Sequence, residues 1–353
     1  MTTYNLDYSN LNSQVLSNLK SPLEQSVIDY SLSQFAKNFT TGATPTITEV
    51  ATLTAGPVLL GSQELFVYAG ASGTTAQVLS AGGNLLLDPG NINDFNYGSS
   101  DTLVGGDFGD NDTCAGGGSV LTSETGNNVL IGDTGYNTLV GGSGNDTMWG
   151  GGATSMVAGS GNDILHGYEG AFPNSADTLI GGVGASVLSV TQGNNLLVGS
   201  FGLNTLLGGS GDDTMWGGTQ TSMVGGNGPG ITTMFGDVDT VASALASHDT
   251  LTGGSGSALM ITDQGTNTFN LGSGNALIYS GGQDTINANL AAAGSATIYG
   301  GVDGKTTTVN ITDAAAITKD TIVGGATEIT FTSGSSSHQL TIYNSTIEGL
   351  PKV

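Results

Sequence analysis

From about residue 114 the chain repeats a nine-residue pattern of Gly-rich polar positions followed by a short apolar stretch. Five nonapeptides run from 114 to 158: CAGGGSVLT, SETGNNVLI, GDTGYNTLV, GGSGNDTMW and GGGATSMVA. Five more run from 181 to 225: GGVGASVLS, VTQGNNLLV, GSFGLNTLL, GGSGDDTMW and GGTQTSMVG. The second block is the first displaced by 67 residues, and a third (GGSGSALMI, TDQGTNTFN, LGSGNALIY) starts 72 residues later at 253. The eighth position is apolar almost throughout: Leu121, Leu130, Leu139, Met148 and Val157, then Leu188, Leu197, Leu206, Met215 and Val224. One strand per nonapeptide, with this residue turned inward, predicts a flattened coil of two nonapeptides in which residues 18 apart stack in columns. The Gly-rich positions form the turns, where the backbone adopts conformations that a Cβ resists.

Asp-Thr-apolar strands herald the blocks at Asp101, Asp177 and Asp249, and Asp320-Thr-Ile-Val reads as the opening of a fourth, partial block. Less regular stretches at about 167–176, 236–248 and 287–296 read as loops, with short Ala-rich helices over Val238–His248 and Asn289–Ala293. Eight nonapeptides make four full turns, so loops at that interval are expected on one side. Residues 1–42 differ: they hold one Gly, Gly42, and carry helical spacing. Ser21-Pro22-Leu23-Glu24 is a capping box leading into Ile28, Leu32, Phe35 and Phe39 on one face, with a weaker helix over Leu11–Leu19. This segment reads either as a cap over the first coil or as an assembly arm. The expected organisation is therefore a helical segment at 1–42, a β-rich start of the solenoid at 43–97, the repeat solenoid at 98–333, and a tail at 334–353.

Composition narrows the function. Of the 353 residues, 29 are acidic and five basic, for a formal charge of −24, and 60 are Gly. Nucleic acid is excluded as a partner, since phosphates require cationic groups. Clustered carboxylates suit cations instead. The regular apolar positions argue against a disordered chain. Cys114 is the only cysteine, which excludes an intrachain disulfide. No apolar run reaches membrane-span length, and the start MTTYNLDYSN lacks the basic and apolar regions of a cleaved signal peptide.

Gly141-Gly-Ser-Gly-Asn-Asp-Thr-Met-Trp149 and Gly208-Gly-Ser-Gly-Asp-Asp-Thr-Met-Trp216 resemble the hemolysin-type repeats of the RTX family, consensus G-G-x-G-x-D-x-U-x. Gly159-Ser-Gly-Asn-Asp-Ile-Leu-His166 follows the same pattern with Ala158 in the first position. The resemblance covers roughly 98–290. It implies an all-β parallel β-roll, or β-solenoid, with Ca²⁺ held between consecutive turns by the sixth-position Asp and backbone carbonyls. Carried over by position, the metal residues are Asp146 and Asp163, stacked 17 apart, and Asp213, stacked over Asn195. Around them stand Asn128, Asn145, Asn162 and Asp212, and the turn glycines Gly142, Gly144, Gly159, Gly161, Gly209 and Gly211. Elsewhere the sixth position is Asn128, Asn137, Asn204 and Asn267, or Ser119, Ser155, Ser186 and Ser222. Because Ca²⁺ takes six to eight oxygens including carboxylates, a few ions are expected rather than one per coil, with Asn columns forming amide ladders instead.

The resemblance also implies type I secretion from a Gram-negative bacterium. The tail after Gly334 reads either as that signal or as a closing strand, Gln339–Tyr343. No G-x-S-x-G, H-E-x-x-H or P-loop occurs, and His166, His248 and His338 have no motif around them, so an enzyme is not expected. Trp149 and Trp216 fall on outward positions and are either exposed contact residues or packed beneath loops. The leading expectation is a secreted calcium-binding structural protein that assembles with itself into a surface layer, filament or matrix. The alternative is a ligand-binding adhesin, for a glycan such as cell-surface polysaccharide or for ice, the latter because the rows Thr125-Gly-Asn and Thr134-Gly-Tyr-Asn resemble those of RTX ice-binding rolls; a polysaccharide-active enzyme ranks last.

Overall fold

A computed structural model describes residues 2–5, 46–50, the strands between 58 and 114, and 117–350 apart from 124, 133, 168–175, 237–247 and 302–304. The chain folds as two compact units, residues 1–166 and 167–353. The helices read over residues 11–42 lie outside the described residues. Within residues 1–42, Thr2–Asn5 is a strand, antiparallel to Thr46–Val50.

In the first unit, strands alternate between two parallel sheets. One sheet runs from Thr46–Val50 through Leu65–Tyr68, Leu85–Leu87, Thr102–Val104, Val120–Thr122 and Thr138–Ser143 to Ser155–Ser160. The other runs from Val58–Leu60 through Thr74–Ser80, Ile92–Asn96, Asn111–Cys114, Val129–Gly132 and Thr147–Trp149 to Ile164–His166. The eighteen-residue column appears as register: Leu121 pairs with Leu139, and Leu130 with Met148. Each of these four side chains is fully buried. An inward Leu or Met contributes about 1.5–3 kcal/mol through burial, so the periodic position holds the coils together.

The second unit repeats the plan. One sheet comprises Thr178–Ile180, Leu196–Val198, Thr214–Trp216, Ile231–Gly236, Ser257–Thr262, Ala276–Ser280 and Ala296–Tyr299. Its outer column runs Ile180, Val198, Trp216, Phe235 and Ile261, then Tyr279, Tyr299 and Tyr343. This is the aromatic sheet. The other comprises Val187–Ser189, Leu203–Leu207, Gln220–Val224, Thr250–Thr252, Thr268–Asn270, Thr285–Asn289, Thr307–Thr312 and Ser345–Glu348. Outward it presents Thr250, Thr268, Thr285 and Thr308 in one column and Thr252, Asn270, Asn287 and Asn310 in the next. This is the threonine sheet.

Four expectations are corrected. The fifth repeat of each of the first two blocks has lost a residue: Thr138 pairs with Ser155 and Thr205 with Ser222. Met156 and Met223 therefore point inward, fully buried, while Val157 and Val224 face out. Thr154 and Thr221, not Ser155 and Ser222, take the buried sixth position. Second, the loop intervals do not place loops on one side. Strands of the aromatic and threonine sheets alternate, and Leu188 and Met260, equivalent in blocks two and three, lie on opposite sheets. Residues 237–247 lead from the aromatic to the threonine sheet, whereas 290–295 lead back.

Third, Asn289–Ala293 is no helix. The strand Thr285–Asn289 ends in a turn closed by Ala292 and Ala293 amides on the Asn289 carbonyl, with Leu290 and Ala293 buried. Val238–Ser247 lie outside the described residues. Fourth, Asp320 does not open another coil. After Asp313, which is left-handed at φ 61°, and a single 3-10 turn, the chain reverses into Ile317–Val323, antiparallel to Ala326–Ser333. No Gly-rich turn precedes it, and Ile322 is 80% exposed. Ala326–Ser333 in turn pairs with Ser336–Tyr343, which lies parallel to Ala296–Tyr299 and brings Gln339–Tyr343 into the aromatic sheet as a closing strand.

Candidate metal centre

The turns that join the sheets stack one above another, and their sixth position forms a buried ladder. Its side-chain oxygen accepts the backbone N–H of the sixth-position residue one coil earlier. Asn128 donates to Asp146 Oδ1, Asp146 to Asp163 Oδ1, Asp177 to Asn195 Oδ1 and Asn195 to Asp213 Oδ1, at 2.8 to 3.0 Å. The same rung joins Ser119 to Asn137, Ser186 to Asn204, Thr221 to Asp249, Asp249 to Asn267 and Asn267 to Asp284. Sheet pairing does not use these amides, and a buried amide without an acceptor costs about 1–3 kcal/mol. An acceptor three bonds from Cα, Asp or Asn, fits the gap between coils.

Sequence reasoning placed Asp146, Asp163, Asp213 and Asn195 in these columns, and all four are buried there. It missed that Asp177, Asp249 and Asp284 occupy the same position, although each begins the same Asp-Thr-apolar triplet as Asp146 and Asp213. The fifth position forms a second, exposed ladder of opposite direction. Asn145 donates its N–H to Asn127 Oδ1, Asn162 to Asn145 Oδ1, Asp212 to Asn194 Oδ1, and Ile231 to Asp212 Oδ1. The side-chain oxygens of Asn145 and Asp212 thus bind backbone. Gly142 and Gly159 are register partners. Gly144 and Gly161 sit at φ 133° and 144°, and a Cβ on either would run into the carbonyl of the coil before, Gly126 or Gly144. On Gly209 it would meet the Thr191 backbone, and Gly211 is likewise left-handed at φ 124°.

Two carboxylates stand apart. Asp146 Oδ1 accepts both the N–H and the Nδ2 of Asn128, at 2.8 Å each, yet its Oδ2 is buried without a hydrogen-bond partner. Asp213 repeats this: Oδ1 accepts the N–H and Nδ2 of Asn195, at 3.0 and 2.9 Å, and Oδ2 has none. Burial pushes the Asp146 carboxyl up to about 6; the two Asn128 hydrogen bonds pull it down and the Asp163 charge raises it further. Asp213 is also raised, by burial first, against the Asn195 hydrogen bonds and with help from the Asp212 charge. A Cβ on Gly141 would lie 2.6 Å from both Asp146 Oδ2 and the Ala158 carbonyl oxygen, so only glycine lets these two oxygens come close there. Asp284 shows the contrast. Its Oδ2 accepts the Thr262 and Ser280 hydroxyls at 2.7 Å and the Gly282 N–H at 3.3 Å, leaving no oxygen free for an ion.

A buried anionic oxygen with no donor, facing a backbone carbonyl across a glycine, fits a hard divalent cation. Among the described residues no three His, Cys, Asp or Glu side chains converge, so ligands would have to come largely from backbone carbonyls and amide oxygens. Trp149, 39% exposed, lies against His166 at 4.2 Å, and half-buried Trp216 stacks on Phe235 at 4.5 Å. Among the described residues no helix is long and apolar enough to cross a membrane.

The model of the RTX calcium-binding nonapeptide repeat matches the chain in four copies, at residues 122–154, 151–171, 189–224 and 243–278. Asp146, Asp163 and Asp213 all fall within matched segments. No curated protein matches the chain in sequence. Such repeats are calcium-binding motifs typical of secreted proteins of Gram-negative bacteria, and the nine-residue frame, the parallel coils and the orphaned turn carboxylates agree with the match. Residues 122–171, 189–224 and 243–278 of the chain are therefore RTX calcium-binding nonapeptide repeats.

Proposed function

We propose that the protein is a secreted, calcium-stabilised structural protein that assembles with copies of itself into an extracellular layer, filament or matrix. The observation that carries the calcium role is the pair of buried carboxylate oxygens, Asp146 Oδ2 and Asp213 Oδ2, left without donors inside family-type turns. Asp146, with the Asp163 and Asn128 turns stacked on either side, and Asp213, over Asn195, would hold the ions. Ca²⁺ would supply the positive charge that these turns lack, and the residues would fix the spacing between coils. The assembly role rests on a described chain that is almost wholly stacked coil, with its histidines far apart in the fold: half-buried His166 against Trp149, exposed His248, and half-buried His338 against Phe331.

Calcium titration followed by far-UV circular dichroism and light scattering tests both parts. Strand signal and scattering are expected to rise together. Unchanged dichroism would remove the calcium role, and unchanged scattering of a calcium-loaded chain would remove assembly.

The adhesin reading keeps one observation in its favour. The threonine sheet's outer face is an uncharged lattice of Thr250, Thr268, Thr285 and Thr308 beside Thr252, Asn270, Asn287 and Asn310. Its amides are held in a ladder: Asn287 Nδ2 donates to Asn270 Oδ1 at 2.9 Å, and Asn310 Nδ2 to Asn287 Oδ1 at 3.4 Å. Thermal hysteresis and glycan-array binding are the measurements; silence in both would exclude this reading.

A further inference from the structure

We infer that the outer face of the aromatic sheet in the second unit is the surface on which a second copy of this chain docks. The inference rests on the assembly reading above and names one of the faces through which copies meet.

The column from Ile180 to Tyr343 is apolar or aromatic in eight successive strands. The column beside it is Thr or Leu throughout, with Leu196, Leu259 and Leu277 adding to the apolar area. Neither carries a charge. Tyr279, Tyr299 and Tyr343 stack at 5.1 and 4.8 Å with ring planes within 9°, forming a stiff ridge. At the other end, Leu196, Val198, Phe201 and Trp216 line a cleft of about 490 Å³, with Phe201 58% exposed. Ridge and cleft on one face are the two halves of a self-complementary surface.

Shape points to a second copy as the occupant, since ridge and cleft lie on one face and a two-fold axis sets each against the other. The charge of −24 opposes association, and opposes it least where an uncharged face meets an uncharged face. Both flat faces of this unit are nearly free of charge, but they differ in what contact would gain. The amides of the threonine sheet already bond one another and its hydroxyls suit water, whereas the aromatic face gains by losing water. Eight strands at about 4.8 Å spacing and two columns about 7 Å apart make a patch roughly 34 Å long. It covers on the order of 450 Å² on each copy, the size of weak, transient interfaces, so association is to be sought from the micromolar range upward.

Sedimentation velocity of the calcium-loaded full-length chain across that concentration range tests this, with circular dichroism confirming the fold of each variant. Wild type should pass from monomer to dimer. Ile261→Asp should weaken association more than about a hundredfold, because it would bury an unpaired charge. Ile261→Thr with Tyr299→Thr, both strand-compatible, should weaken it in a correctly folded chain. Thr268→Asp on the threonine sheet should leave it within about threefold. A wild type that stays monomeric, as it would with another segment of its own chain seated on the face, overturns both this inference and assembly. Undiminished association of folded Ile261→Asp, or loss of association in Thr268→Asp alone, overturns only the choice of face.

Discussion

Replacing Asp146 by Asn should stabilise the metal-free protein and abolish its local response to calcium. The substitution keeps an acceptor for the two Asn128 donors, at 2.8 Å each, and removes the charge on an oxygen that no donor reaches. The Asp146 carboxyl rises from 3.8 to about 6 in the fold. Between those values the folded state holds a proton that the unfolded state has released, so stability falls as pH rises through this window, and the penalty is complete above about pH 6. A shift of that size corresponds to about 3 kcal/mol, and solvent screening reduces it to roughly half. At pH 7.5 without calcium, Asp146→Asn should therefore unfold at higher denaturant, by about 1.5 kcal/mol, and the advantage should shrink as pH falls from 6 towards 4. Calcium at 100 times its dissociation constant should return about 2.7 kcal/mol to wild type and little to the variant. Urea unfolding followed by Trp149 fluorescence in a Trp216→Phe background reads this locally, since Trp149 ends the strand that follows Asp146. A metal-free variant weaker than wild type at pH 7.5, or an equal calcium gain in both, would refute the reasoning.

Other substitutions separate the parts of the fold. Met156→Ala should cost about 2–5 kcal/mol while neighbouring Val157→Ala costs under about 1 kcal/mol; comparable urea midpoints would restore the uninterrupted nine-residue frame. Gly144→Ala, at φ 133° and against the Gly126 carbonyl, should open the first unit to limited proteolysis with or without calcium. Asp284→Asn should destabilise by about 1–3 kcal/mol, equally in calcium and in chelator, because Thr262, Ser280 and Asn267 already use its oxygens. A calcium-dependent loss there would reveal an ion that the hydrogen bonds leave no room for.

The coil was legible because its strongest term, burial of one apolar residue per strand, recurs at a fixed interval: Leu121, Leu130, Leu139 and Met148 follow it, and the structure buries them all. The stacking of Asn128 and Asp146 followed from the same interval, and Asp163 joins them 17 residues on because the repeat between is one residue short. The slip at Met156 was hidden because Thr154 and Ser155, like Met156 and Val157, are chemically near-equivalent, so only register with the next coil separates them. The one visible sign was Ala158, which had to end one repeat and begin the next. Asp177 and Asp249 escaped because their triplets follow irregular stretches, without the glycines that mark the turn, and Asp284 because its turn, Gly281-Gly282-Gln283, is shortened and lacks the fourth-position glycine. The two carboxylates with an oxygen that no donor reaches, Asp146 and Asp213, sit in the two repeats that match the consensus in full, but what sets Asp284 apart could not be read from sequence. Asp284 and Asp146 share position and burial, and only the hydroxyls of Thr262 and Ser280, 22 and four residues from Asp284, distinguish them.

The buried ladder has a direction. Each sixth-position amide is satisfied by the coil after its own, while the fifth-position amides are satisfied by the coil before. An open end therefore shows water a donor of one kind or the other, and adding a coil exchanges that water for a fixed side-chain oxygen. Because the two ladders run against one another, a coil that carries both cannot be lifted from either neighbour without breaking a turn hydrogen bond along with its strand pairing.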